Sequence, residues 1–198
     1  MAVALAGGML WWFFRPSPGP FPNRGGEVFA ERVVNDVPQF FQDDPRWRED
    51  LLGSSGSRMG SEGCAVVCAA MVLRGYGVDT DPGRLNRFLS GHPRGYTPRG
   101  WVYWEGACEI ASDRVGLVYE GPGSYRLLDR ALREGLTPII KVFLPEGISH
   151  FLVVVGKEGN RYLVRDPLRR CGGQVVFLDE FYSGPIHGVR LYQPRQTP

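Results

Sequence analysis

The chain has 198 residues, 43% of them hydrophobic and 22% charged, with a net charge of +2. Those values suit one soluble domain with a core of ordinary size and give no reason to expect a nucleic-acid partner. Four cysteines are too few for a disulfide framework. Without a CxxC pair, an HExxH or a P-loop signature, no metal, nucleotide or other cofactor is expected.

The first segment, "MAVALAGGMLWWFF", is uncharged up to Arg15. As a helix it would reach about 21 Å, short of the ~30 Å hydrocarbon core of a bilayer. It lacks a basic leading region and a small-residue cleavage site, so it fits a standard signal peptide poorly. Trp11, Trp12, Phe13, Phe14 and Arg15 have the character of the interfacial end of a membrane helix. Residues 1–15 are therefore read as a membrane anchor, with an arm packed on the chain's own domain or a partner as the alternative. Location at the cell envelope, or secretion, follows from that reading. Residues 16–26, "PSPGPFPNRGG", are read as a linker, and the domain as 27–198.

An extended stretch, "VVNDVPQFF", should lead into a Gly/Ser-rich loop, "LLGSSGSRMGSEG". The spacing then predicts a buried helix over "CAVVCAAMVLRGYG", ending at Gly75 or Gly77. A second helix should start at Asp81-Pro82 and run through "PGRLNRFLSG", since proline suits a first helical turn. "GWVYWEGACEIASD" reads as a loop into a third helix. "SYRLLDRALREG" reads as a helix with Leu127, Leu128, Ala131 and Leu132 on one face and Gly135 as its stop. Strands are expected over "TPIIKVFL", "HFLVVVG", "RYLVRDP", "QVVFLDEF" and "IHGVRLYQ". Helices first and an antiparallel sheet second is an α+β pattern, and the apolar run in "HFLVVVG" suggests a strand covered on both faces.

Two places carry chemistry. Cys64 leads the apolar helix, where the positive end of the helix dipole favours a thiolate. Gly63 before it removes a side chain where another backbone, such as a substrate's, would approach. The segment "SHFLVVVGKEGNRYLVRDP" reads as a hairpin. A three-residue loop at 157–159 sets His150 opposite Asp166, and one at 158–160 leaves them diagonal on the same face. A loop of even length would separate them. Pro167 biases Asp166 towards extended backbone. Nucleophile, base and a carboxylate orienting the base make the cysteine form of triad logic.

The order Cys, His, Asp resembles the papain-like cysteine peptidases. More narrowly, the chain resembles the bacteriocin-leader-processing (double-glycine) peptidases and their stand-alone relatives. The matching stretches are "VPQFFQDDPRW", "GCAVVCAAMVL", "GLTPIIKVF" and "HFLVVVGKEGNRYLVRDP". The resemblance implies a papain-like fold, a helical N-terminal half packed on an antiparallel sheet, and hydrolysis of peptide bonds in a peptide or protein substrate. It implies Cys64 as nucleophile, His150 as general base, Asp166 as the orienting acid and Gln42 as oxyanion-hole donor with the backbone N–H of Cys64. A non-catalytic binding domain of the same fold, and a thiol amidase or acyltransferase on a non-peptide amide, stand as alternatives.

Other residues have plainer readings. Cys68 is expected to be a small buried side chain, and a Cys108–Cys171 bridge is possible. His187 is a rival base without a carboxylate at strand-pair spacing, and His92 is a loop residue. Trp101, Tyr103 and Trp104 are expected in packing, with a substrate cleft as the other use. Asp43 and Asp44 form a turn or cap ahead of Pro45.

Overall fold

The computed structural model describes residues 19–195. The apolar segment 1–15, on which the anchor expectation rests, lies outside the described residues, and among these no helix is long and apolar enough to cross a membrane. Part of the expected linker belongs to the fold. Phe21 is buried and bridges Ile186, and the first strand, β1 (Arg24–Val34), starts inside that segment.

A four-residue helical turn, α1 (Met59–Glu62), leads into α2 (Cys64–Gly75), α3 (Pro82–Gly91) and α4 (Trp104–Cys108). Every residue of α2 from Val66 to Leu73 is buried, which is why its sequence is apolar all round rather than striped. Asp81 caps α3 by accepting from the Arg84 N–H at 2.8 Å, with Pro82 in the first turn. Strand β2 (Val115–Gly121), not foreseen, precedes α5 (Tyr125–Arg133), which Ser124 caps. Then come β3 (Ile139–Phe143), β4 (Ser149–Arg165), β5 (Val176–Phe177), α6 (Leu178–Phe181) and β6 (Gly188–Pro194).

All strands join one antiparallel sheet in the order β1-β4-β3-β6-β2, with β5 on β4. "QVVFLDEF" is therefore not one strand: two residues pair, and Leu178–Phe181 turn into a helix. Asp179 and Glu180 occupy the first helical turn, where the dipole favours acids, and both ion-pair with Arg161.

Along β4, side chains alternate between two cores. Val153, Val155 and Leu163 join the core built on α2, α3 and α4. Leu152, Val154, Tyr162 and Val164 join the core that includes Leu128 and Leu132 of α5. Sixteen residues of straight strand would span about 50 Å, yet His150 and Asp166 touch. The run must double back, and Gly159, at φ +58°, supplies the left-handed residue that the reversal needs. Even-numbered residues of both arms share one face, as the odd-loop reading requires.

Candidate active site

Cys64 is the first residue of α2 and is partly exposed. The short turn α1 delivers the chain to it through Gly63, whose N–H donates to the Met59 carbonyl at 2.9 Å. A Cβ on Gly63 would sit 2.4 Å from that same oxygen. The backbone that needs the missing side chain is thus the chain's own, and the glycine sets the tight junction that aims the helix.

His150 enters near the start of β4, paired with Val142 of β3. Its Nε2 lies 2.8 Å from Oδ1 of Asp166, and both residues are 2% exposed. With Nε2 taken, Nδ1 is the ring nitrogen left for the thiol of Cys64, which is near enough to favour the charged imidazole. Burial opposes the imidazolium, but the Asp166 hydrogen bond and the Cys64 thiol outweigh it and raise the histidine to about 9.

Asp166 is held from three directions. Oδ1 also accepts from the Leu168 N–H at 2.8 Å, Oδ2 accepts from the Tyr182 hydroxyl, and its carbonyl accepts from Gln39 Nε2 at 2.7 Å. Tyr182 follows α6 and lies nearly parallel to His150, ring centroids 6.1 Å apart. Reading 174–181 as a strand hid this residue; the acid pair Asp179-Glu180 was the signal for a helical turn that would re-aim the residues after it.

Gln42, 22 positions before Cys64 in the chain, is folded back onto the turn that precedes it. Its Nε2 donates to the Gly60 carbonyl at 2.9 Å, and its backbone N–H donates to the Pro167 carbonyl at 3.0 Å. The side chain is buried, and Oε1 has no partner among the described residues. The intervening segment packs inward through Trp47, Leu52 and Met59, and Gly60 N–H returns to the Arg48 carbonyl at 2.8 Å. Gln42 and Asp166 are thereby tied to one seam, on which Asp43 also pairs with Arg169 at 2.9 Å.

The remaining candidates lie elsewhere. His187 packs edge-on against Phe143, and His92 stacks on Phe88 and pairs with Glu109. Cys68 is fully buried one turn after Cys64, its thiol pushed well up by burial and by the neighbouring Cys64 and Asp166. Cys108 and Cys171 are separate free thiols rather than a bridge. Trp104 is core, whereas Trp101 and Tyr103 are exposed. Asp44 makes the expected turn, accepting from the backbone and guanidinium of Arg46. Among the described residues no group of three His, Cys, Asp or Glu is placed to hold a metal.

The profile of the peptidase C39 family matches residues 57–183, a stretch that holds Cys64, His150, Asp166 and Tyr182 but not Gln42. No curated protein matches the chain. Among solved structures, a C39-like peptidase from Bacillus anthracis aligns with a TM-score of 0.52 at 16% identity, over 85% of this chain and 100% of its own. The peptidase domain of Streptococcus ComA, a bifunctional ABC transporter of a quorum-sensing pathway, aligns with a TM-score of 0.52 at 16% identity, over 81% of this chain and 99% of its own. At that identity these two show a shared fold.

Proposed function

The chain belongs to the peptidase C39 family, and from that premise we propose that it cleaves peptide bonds with Cys64 as nucleophile, His150 as acid and base, Asp166 as the group orienting His150, and Gln42 as oxyanion donor. The observation that carries the reading is the buried 2.8 Å contact from Nε2 of His150 to Asp166, which leaves the other ring nitrogen to a helix-leading cysteine. The thiol proton passes to Nδ1, and the thiolate attacks the scissile carbonyl carbon. The C–N bond breaks as His150 returns the proton to the leaving amine. Water then enters, losing its proton to the same nitrogen, and releases the acid product and the thiol.

Oxyanion stabilisation falls to the backbone N–H of Cys64, at the first turn of α2, and to the second amide hydrogen of Gln42, whose first is bound to Gly60. The substrate is a peptide or protein, and the cell envelope is its site of action on the strength of the apolar residues 1–15.

Iodoacetamide labelling with mapping of the modified residue tests the site without a known substrate. Cys64 is expected to label fast below pH 7, and His150→Ala to abolish that reactivity. Digestion of a peptide library should likewise lose its cleavage products in Cys64→Ser. A Cys64 that labels no faster than a free thiol would favour a non-catalytic binding domain instead.

A further inference from the structure

We propose that Tyr182 is a positioning residue for this site, its hydroxyl holding the Asp166 carboxylate in the one rotamer that grips the imidazole; the inference rests on the peptidase reading above. Oδ1 of Asp166 is occupied by His150 and the Leu168 N–H. Oδ2 takes the Tyr182 hydroxyl. With Asp166 buried, an Oδ2 stripped of that donor becomes an unpaired charged acceptor, and the carboxylate gains by rotating away from the ring to share its remaining donors.

Packing alone does not explain a tyrosine here. Its ring lies almost parallel to His150, at 22°, a role that phenylalanine fills equally. Tyr182 is 3% exposed, so its hydroxyl needs a partner inside the protein, and that partner is the carboxylate. Burial first, and then Asp166, push the phenol above its ordinary range, so it stays protonated and donates across the working range of pH.

The tyrosine is itself fixed. Its N–H donates to the Leu178 carbonyl at 2.9 Å, closing the turn of α6, and its carbonyl accepts from the Asn23 side chain. The ionisable groups around the His150–Asp166 pair are Cys64, Cys68, Tyr182, Cys171 and Arg170. Of these, Tyr182 alone donates to the carboxylate.

Tyr182→Phe keeps the ring and removes the donor. Labelling of Cys64 by iodoacetamide below pH 7 should slow about tenfold against the wild type, because a less securely held Asp166 supports the imidazolium, and with it the ion-paired thiolate, less well. On a cleaved peptide, kcat should fall about tenfold with KM moved less than twofold. In the Asp166→Asn background the same substitution should add nothing, since the effect passes through that carboxylate.

A wild type that labels fast beside a Tyr182→Phe variant with the same pH profile and rate overturns the positioning role alone. A wild-type Cys64 that labels no faster than a free thiol overturns the peptidase reading and this role with it. Should Tyr182→Phe not fold, proton NMR decides. A slowly exchanging Tyr182 hydroxyl proton, present in the wild type and in His150→Ala but lost in Asp166→Asn, supports the contact, and its absence from the wild type overturns it.

Discussion

Holding His150 charged up to about pH 9 ties both rate and stability to one proton. The folded value lies above the ordinary 6.5, so the stabilisation is complete below pH 6.5, fades as pH rises and is gone above about 9. Resistance to urea at pH 9 should therefore be lower than at pH 6, and the difference should shrink in Asp166→Asn, which removes one of the two groups favouring the imidazolium. On the proposed mechanism, kcat/KM for a peptide should fall on an alkaline limb near pH 9, where no proton is left for the leaving amine. A limb near 6.5 would mean that neither Asp166 nor Cys64 supports the ring in solution. The residues behind this were legible because spacing carries them. Cys64 stands at a helix start and His150 sits sixteen positions before Asp166, so period-2 parity puts the latter two on one face once the hairpin loop has an odd length. Tyr182 was not legible, because nothing in "EFYSGP" announces a hydrogen bond to a carboxylate sixteen residues upstream.

At the scale of elements, β1 and β4 are joined by a buried charge cluster that periodicity does not show. Lys157 Nζ lies 2.5 Å from Oδ1 of Asp129 and 2.9 Å from the Gly25 carbonyl, and the Tyr162 hydroxyl donates to the same Oδ1 at 2.8 Å. The second carboxylate oxygen accepts from the Glu27 N–H at 2.8 Å, so a residue of α5 fastens the backbone of β1. Burial lowers the Lys157 ammonium, and the Asp129 contact opposes that shift. Asp129→Ala leaves this ammonium enclosed without its counter-charge and is expected to cost about 3–5 kcal/mol in urea unfolding. Asp129→Ala with Lys157→Met should cost less than Asp129→Ala alone. Equal losses would show that the ammonium escapes to water. In the sequence Asp129 stands off the apolar face expected of its helix, and Lys157 lies in or beside the expected hairpin loop. Both readings were reasonable locally, and the contact across 28 positions overrides them. Strands β1 and β2 were missed for a related reason. In β1 only Phe29 is buried, and in β2 the core-facing Val115, Leu117 and Tyr119 are interrupted by the exposed apolar Val118, so neither stretch shows a clean alternation.

For the whole molecule, the first fold contact among the described residues bears on how an N-terminal deletion behaves. Phe21 is buried edge-on against Tyr125, 5.3 Å between centroids, and Asn23 reaches Tyr182. Removal of 1–22 takes Phe21 and should cost about 3 kcal/mol in urea unfolding relative to removal of 1–15, which keeps it. Comparing detergent-free solubility of the full chain with that of the 1–15 deletion then tests the membrane anchor while keeping Phe21 in place. Equal solubility of the two as monomers would end that reading.

The doubled-back β4 carries base and carboxylate on two arms of a single run, joined only through the turn near Gly159. Any gain or loss of one residue there would swing Asp166 to the opposite side of the ribbon. Natural relatives are therefore expected to differ in length between these two positions by even counts, or to absorb an odd one in a bulge. An alignment rich in single-residue gaps at this point would mark chains whose thiol has no oriented imidazole.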